Sequence, residues 1–231
     1  MLVRYSTPTR EQVIDVAREA VSVFTKCGLE ACLVGGAACA LYGVTRTPSD
    51  VDVVVFTSEY DEAGLQQILV EREDSQFYLT PSRTPGATYK ILWYKLDAVS
   101  DSEEDESSGV HCACKVDILR PGVMNIPDVP INRLVNIDGI PLIPLFTLLI
   151  LKLEAWNDHR NAYKYYVRMK RHVDATDLEE LLPLAPNRAL WAKNEEWMLT
   201  SRVRGVEGIL REYLLEYPTQ RKAWSAVGLE I

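Results

Sequence analysis

The stretch Leu33-Val34-Gly35-Gly36-Ala37-Ala38-Cys39-Ala40-Leu41-Tyr42-Gly43-Val44-Thr45-Arg46-Thr47-Pro48-Ser49-Asp50-Val51-Asp52-Val53-Val54-Val55 decides how this chain reads. A short buried strand over 31–34 runs into a paired-glycine turn. Residues 37–42 then read as a helix ended by Gly43, and 51–56 as a β-branched strand. Glycines at a strand-to-helix turn let backbone N–H groups approach a phosphate, and a helix N-terminus favours its negative charge. On a strand, residues two apart share a face, so Asp50 and Asp52 point one way and Val51, Val53 and Val55 the other. Two carboxylates that close repel unless a cation is shared between them, and their oxygens are the ligands Mg²⁺ and Mn²⁺ prefer. The plainer alternative is that Asp50 merely caps the turn after Pro48-Ser49.

A third acid stands in Lys115-Val116-Asp117-Ile118-Leu119. Alternation groups Lys115 with Asp117 and sets Cys112, Cys114, Val116 and Ile118 on the opposite face. If this strand neighbours the first, Asp117 joins Asp50 and Asp52 around one or two divalent ions. His111 alternates away from the two thiols, so the local His/Cys group does not read as a zinc site.

The rest of the N-terminal part is α/β in pattern. A first helix is expected to start near Thr7 to Thr9, with Thr9 and Gln12 as a capping box. Its apolar face would be Val13, Ala17, Ala20, Val21 and Phe24, with Gly28 beyond its end. Residues 59–70 read as another helix. Residues 89–96 and 110–119 read as hairpin strands around a solvated acidic tip at 100–109. Short β alternation persists over 132–143 around the turn signal Asp138-Gly139, and from Pro144 the pattern is helical. The expected division is 1–143 and 144–231.

Composition bounds what such a chain does. It has 231 residues, 47% hydrophobic and 25% charged, enough apolar content to bury a core. The formal net charge is −8, but Asp97, Asp101, Glu103, Glu104, Asp105 and Glu106 supply six of those negatives. The whole-chain balance therefore neither demands nor forbids an anionic partner. The greasiest stretch, 140–153, is interrupted by Pro141, Pro144, Thr147 and Lys152, too broken for a membrane span. The N-terminus lacks the apolar core of a signal peptide, and five cysteines lie in apolar surroundings. A cytoplasmic location with free thiols is expected.

In the helical part, Lys152 sits inside an apolar run and is expected to point into a cleft and contact phosphate. Arg160, Lys164 and Arg168 recur every four residues, the spacing of one helix face, with Tyr163, Tyr165 and Tyr166 interleaved. That stripe reads either as a site for a triphosphate or an RNA backbone, or as an ordinary solvated face. Trp191, Trp197 and Trp224 read as helix-packing residues.

Two glycines, thirteen residues, Asp-x-Asp in a strand and an apolar-flanked Asp in a later strand together resemble the nucleotidyltransferase fold of the DNA polymerase β superfamily. More narrowly, GGAACALYGVTRTPSDVDVVV (35–55), KVDI (115–118) and RHVDATDL (171–178) are similar to three successive motifs of AbiEii-type (MenT-like) nucleotidyltransferases, known largely as toxins of toxin–antitoxin pairs. Lys152 in LLILKLEAW resembles the lysine these families carry where the helical part begins. The similarity spans about residues 33–178. The chain departs from the family pattern in having no Asp after Asp177 and in its acidic hairpin loop.

The resemblance implies an α/β (α+β) mixed sheet with flanking helices, followed by a C-terminal helical bundle. It implies transfer of a nucleoside monophosphate from a nucleoside triphosphate to a hydroxyl, with Asp50, Asp52 and Asp117 holding Mg²⁺ or Mn²⁺. Gly35, Gly36, Ala37, Arg46, Ser49, Lys115, Lys152, Arg171 and Asp177 would line the nucleotide. Asp174 would orient or activate the acceptor, unless Arg171 instead holds Asp174 and Asp177 in place. Six basic residues against two acidic ones between Lys152 and Arg171 favour RNA or tRNA as acceptor. A protein side chain, a small hydroxylated molecule, or an inactive nucleotide-binding module on the same fold are the alternatives.

Overall fold

The computed structural model describes residues 5–96, 111–185 and 200–229. The acidic segment 100–109, Trp191 and Trp197 lie outside them. The chain divides into two compact units. The first comprises Met1–Ala40, Arg46–Arg120 and Gly139–Pro141, and the second Leu41–Thr45, Pro121–Asp138 and Leu142–Ile231.

The first unit is built on a mixed sheet. Its elements are β1 (Tyr5–Ser6), α1 (Arg10–Lys26), β2 (Glu30–Val34), the start of α2 (Gly35–Tyr42), β3 (Asp50–Phe56), α3 (Glu62–Val70), β4 (Phe77–Pro81), β5 (Lys90–Lys95) and β6 (His111–Leu119). After β7 (Val135–Ile137) comes β8 (Ile140–Leu142). The strand order is β4-β5-β6-β3-β2-β8. β3 runs parallel to β6, as does β1, while the β2–β3, β4–β5 and β5–β6 pairs are antiparallel.

Local chemistry explains where these elements start. The Gln12 N–H donates to Thr9 Oγ1 at 3.2 Å, and the Thr9 N–H donates to Gln12 Oε1 at 2.9 Å. That reciprocal pair opens α1, as the sequence suggests. All five residues of its expected apolar face are buried, joined by Val16 and Val23, and α1 packs on β2, β3 and α3. Two starts differ from expectation. α2 begins at Gly35, so the glycine pair is the first turn of the helix and not a separate turn before it. α3 begins at Glu62, three residues late, because Asp61 Oδ1 accepts the Gly64 N–H at 2.8 Å and caps the helix there.

The second unit is mainly helical: α4 (Leu145–Arg160), α5 (Tyr165–Arg168), α6 (Lys170–Leu181), α7 (Thr200–Glu216) and α8 (Arg221–Ala226). α4 packs on α5, α6 and α7. Its centre is aromatic. Trp156 meets Tyr213 edge-on at 5.0 Å, Tyr213 stacks on Tyr217 at 4.7 Å, and Trp224 meets Tyr213 at 6.2 Å. Trp224 thus packs helices together, as expected. The Tyr213 hydroxyl donates to Gln220 Oε1 at 2.8 Å, which satisfies the polar tip of that buried tyrosine.

The proposed single helix face through Arg160, Lys164 and Arg168 does not exist. α4 ends at Arg160, Lys164 precedes the first residue of α5, and Arg168 closes that four-residue helix. The break falls at Asn161, whose amide donates to the Asn157 carbonyl at 2.8 Å. No helix among the described residues is long and apolar enough to cross a membrane.

Candidate active site

The parallel pairing of β3 with β6 brings the three acids together. Asp50 lies opposite Lys115 and Asp52 opposite Asp117, so four ionisable residues occupy two adjacent rows on one face. The other face carries Val51, Val53, Cys114, Val116 and Ile118, all buried. This is the strand alternation read from the sequence, now carried across two strands. Asp50 and Asp52 are half-buried. Asp117 and Lys115 have side chains 36% and 35% exposed.

Lys115 Nζ donates to both oxygens of Asp117, at 2.7 Å for Oδ1. Burial alone pulls the Lys115 ammonium down. The hydrogen bond and charge of Asp117, with the charges of Asp50 and Asp52, outweigh it, and the pKa stands above the ordinary lysine value. Ser49 is exposed beside this face, and its hydroxyl donates to Asp50 Oδ1 at 3.3 Å. Behind it, Cys114 is pushed up to about 12, first by burial and then by the charges of Asp50 and Cys112. It is a packing thiol.

β2 bounds the other side of Asp52. Val34 is the cross-strand partner of Asp52, and the chain turns into α2 at the next residue. Gly35 sits at φ +61°, and a Cβ placed there would collide with the Asp52 carboxylate. Only glycine satisfies both conditions. A Cβ on Gly36 would lie 3.1 Å from Arg46 Nη2, so the Arg46 guanidinium rests against the second glycine. Ala37 is fully buried and offers backbone alone. Gly35, Gly36, Ala37, Arg46, Ser49, Asp50, Asp52, Lys115 and Asp117 therefore all belong to the first unit, around one end of β3. Trp93 on β5 lies opposite Lys115, with its indole N–H donating to Thr80 Oγ1 at 3.0 Å. It borders this set and was not singled out from the sequence; the register of β5 against β6 reveals it.

The remaining predicted residues form a second centre in the second unit. Lys152 Nζ lies 2.7 Å from Asp177 Oδ2 and 3.2 Å from Asp174 Oδ1, all three buried. The other oxygen of Asp174 meets His159 Nδ1 at 2.5 Å. The cation against both carboxylates is thus Lys152, while Arg171 pairs with Glu216 at 3.6 Å. His159 escaped the sequence reading. The signal was there, since Lys152, Trp156 and His159 follow the i, i+4, i+7 spacing of one helix face.

The chemistry of the open set on β3 and β6 suits a hard cation. Carboxylates on neighbouring strands, half accessible, leave room for water and phosphate oxygens, which is how Mg²⁺ is usually held. Among the described residues no group of three or more acidic, His or Cys side chains is arranged to hold a metal ion by itself.

Solved structures supply the counterpart of this fold. The chain matches an antigenic nucleotidyltransferase-like protein from Paracoccidioides brasiliensis over 97% of its own length and 95% of the other, at 16% identity and a TM-score of 0.65. It also matches an H. pylori protein assigned as a nucleotidyltransferase (16% identity, 96% and 88% of the two chains, TM-score 0.42). A third is ANT(2")-Ia in complex with adenylyl-2"-tobramycin (12% identity, 74% and 93%, TM-score 0.37). No family model and no curated protein matches the sequence. The mixed sheet with flanking helices and C-terminal helices is the nucleotidyltransferase-like fold.

Proposed function

We propose that the chain is a metal-dependent nucleotidyltransferase that moves a nucleoside monophosphate from a triphosphate to a hydroxyl acceptor and releases pyrophosphate. The observation that carries this is the alignment of Asp52 with Asp117 across β3 and β6, with Asp50 two residues along and Gly35 against the Asp52 carboxylate. Asp50, Asp52 and Asp117 would hold Mg²⁺ or Mn²⁺, which, when bound, neutralises charge on the triphosphate and on the attacking oxygen. Backbone N–H groups at Gly35, Gly36 and Ala37 would face the phosphates, with Arg46 and Ser49 beside them. Lys115, which holds Asp117, offsets part of the charge of the neighbouring acids.

Lys152, Asp174, Asp177 and Arg171 enter the proposal as nucleotide-side residues of the helical part. Asp174, gripped by Lys152 and His159, acts by positioning those two groups. RNA or tRNA is the favoured acceptor on the basic excess between Lys152 and Arg171. The narrower reading, an AbiEii-type enzyme with a cytoplasmic toxin role, rests on the three motif similarities. We assign catalysis to 1–143 and the supporting helices to 144–231.

The test is incubation with each α-phosphate-labelled nucleoside triphosphate, Mg²⁺ or Mn²⁺ and a cell extract, beside an Asp50→Ala/Asp52→Ala variant. Label in RNA, protein or a small molecule only with the intact pair supports the proposal and names the acceptor. Nucleotide binding without transfer under every condition moves the assignment to an inactive binding module.

A further inference from the structure

We infer that the segment joining α4 to α6 is a docking surface for a single-stranded polynucleotide, built from three outward-facing tyrosines among cations of which three have no acidic partner among the described residues. Tyr163, Tyr165 and Tyr166 are 96%, 69% and 64% exposed. Large aromatic side chains are seldom left so open on a folded surface, and here three occur within four residues. Tyrosine hydroxyls reduce the cost of that exposure, but nothing in the local packing requires rings at these positions.

Charge selects the occupant. Between Asp158 and Asp174 the chain has no acidic residue, while Arg160, Lys164, Arg168, Lys170 and Arg171 are all basic. Two of the five are spent inside the unit, Arg160 on Glu212 at 3.2 Å and Arg171 on Glu216 at 3.6 Å. Lys164, Arg168 and Lys170 have no acidic partner among the described residues, and Lys164 and Lys170 are exposed. They are interleaved with the rings: Lys164 Nζ lies 5.9 Å from the Tyr166 ring centre and the Arg168 guanidinium 5.8 Å from that of Tyr165. Arg168 also donates to the carbonyls of Ala162 and Tyr163, which ties the strap to itself. Bases stack on rings while phosphates meet ammonium groups, and a polymer with both at every repeat engages all these side chains together. A single nucleotide would reach only one or two of them. An acidic peptide would satisfy the lysines but leave the rings with nothing planar to stack on.

This surface lies within the basic segment on which the RNA-acceptor reading rests and so deepens that reading, but its test needs no turnover. Binding of a fluorescent uridine dodecamer to the whole chain, without nucleotide or metal, is followed by anisotropy. Tyr163→Ala/Tyr165→Ala/Tyr166→Ala is expected to weaken binding at least about tenfold. The corresponding triple Phe variant, which keeps the rings, should stay within about threefold. Lys164→Ala/Lys170→Ala should flatten the dependence of log affinity on log salt by about 0.7 for each lysine removed. A deoxyuridine dodecamer separates the two polynucleotides: tighter RNA binding locates recognition partly at the ribose, and equal binding supports the shared chemistry of base and phosphate. The inference is overturned if the triple Ala variant binds like the parent. It is equally overturned if the parent shows no binding, or if a poly-glutamate peptide displaces the oligonucleotide at equal concentration. No dodecamer binding by the parent chain, with its label transfer intact, would sink this surface and leave the transferase reading standing; dodecamer binding by a parent chain that transfers no label would do the opposite.

Discussion

The β3–β6 carboxylates and the α4–α6 carboxylates use the same residue types to opposite ends. On the sheet, Asp50, Asp52 and Asp117 are gathered beside Lys115, which holds Asp117, and all are partly open to solvent. In the helices, Asp174 and Asp177 face Lys152 and His159, and Asp177 is wholly buried. A buried carboxylate must be compensated, because water is not there to solvate it. A half-exposed set is screened by solvent and stays accessible to a hard cation. Carboxylates gather at small cost where solvent reaches, and that is where the proposed chemistry sits.

The largest expected effect breaks the buried cluster. Lys152→Met leaves two carboxylates facing each other without their cation and should cost about 3–5 kcal/mol. Lys115→Met, the equivalent change on the sheet, should cost less than about 1 kcal/mol. Urea denaturation of the pair of variants measures the contrast directly, and equal losses would dissolve it.

Next in size, Asp52→Asn should lower nucleotide transfer at least about a hundredfold, worth about 2.7 kcal/mol of barrier. Stability should change by less than about 1 kcal/mol, because the Asp52 side chain is half-exposed. Asp177→Asn, by contrast, should lose stability. Pyrophosphate release beside a urea midpoint for each variant distinguishes these outcomes.

Gly35→Ala sharpens the boundary of the open set. The positive φ should cost about 1–2 kcal/mol, and the new methyl displaces the Asp52 carboxylate. A variant that keeps full transfer would show that the glycine serves the turn alone.

The smallest effect concerns pH. Burial pushes Cys32 up to about 12 from 9.0, and Cys114 likewise rises to about 12. Above pH 9 the unfolded chain releases these protons while the folded chain keeps them. Stability should therefore be intact below pH 9 and fall progressively towards pH 12. Cys32→Ala/Cys114→Ala should flatten that fall, whatever it costs at neutral pH. Lys115, whose pKa is raised, also loses its contribution as pH climbs through its own titration, so Lys115→Met should flatten the alkaline limb further. Urea midpoints at pH 8 and pH 10.5 suffice.

Much of the open site was legible from residue order. Alternation in 50–55 and 115–119 specifies which acids share a face, because a strand has a side-chain period of two and cannot place Asp50 and Asp52 otherwise. The capping box at Thr9 and Gln12 is equally local. The buried centre was only half legible. Lys152, Asp174 and Asp177 were named through a resemblance, yet their mutual pairing, and His159 with them, depend on which helix faces meet. The basic stripe failed for a local reason, since a helix break at Asn161 cancels a periodicity that assumes one continuous helix.

By itself, then, the sequence determined the faces: which residues of each strand and helix look the same way. Which faces meet was decided only by the tertiary structure. Placing β6 beside β3 in parallel, with Asp52 opposite Asp117, is a contact between segments about sixty residues apart, and the seating of α6 against α4 joins two helices across the intervening strap. Short-range geometry dictates direction, whereas non-local pairing depends on the joint burial of both apolar faces, which no single segment encodes.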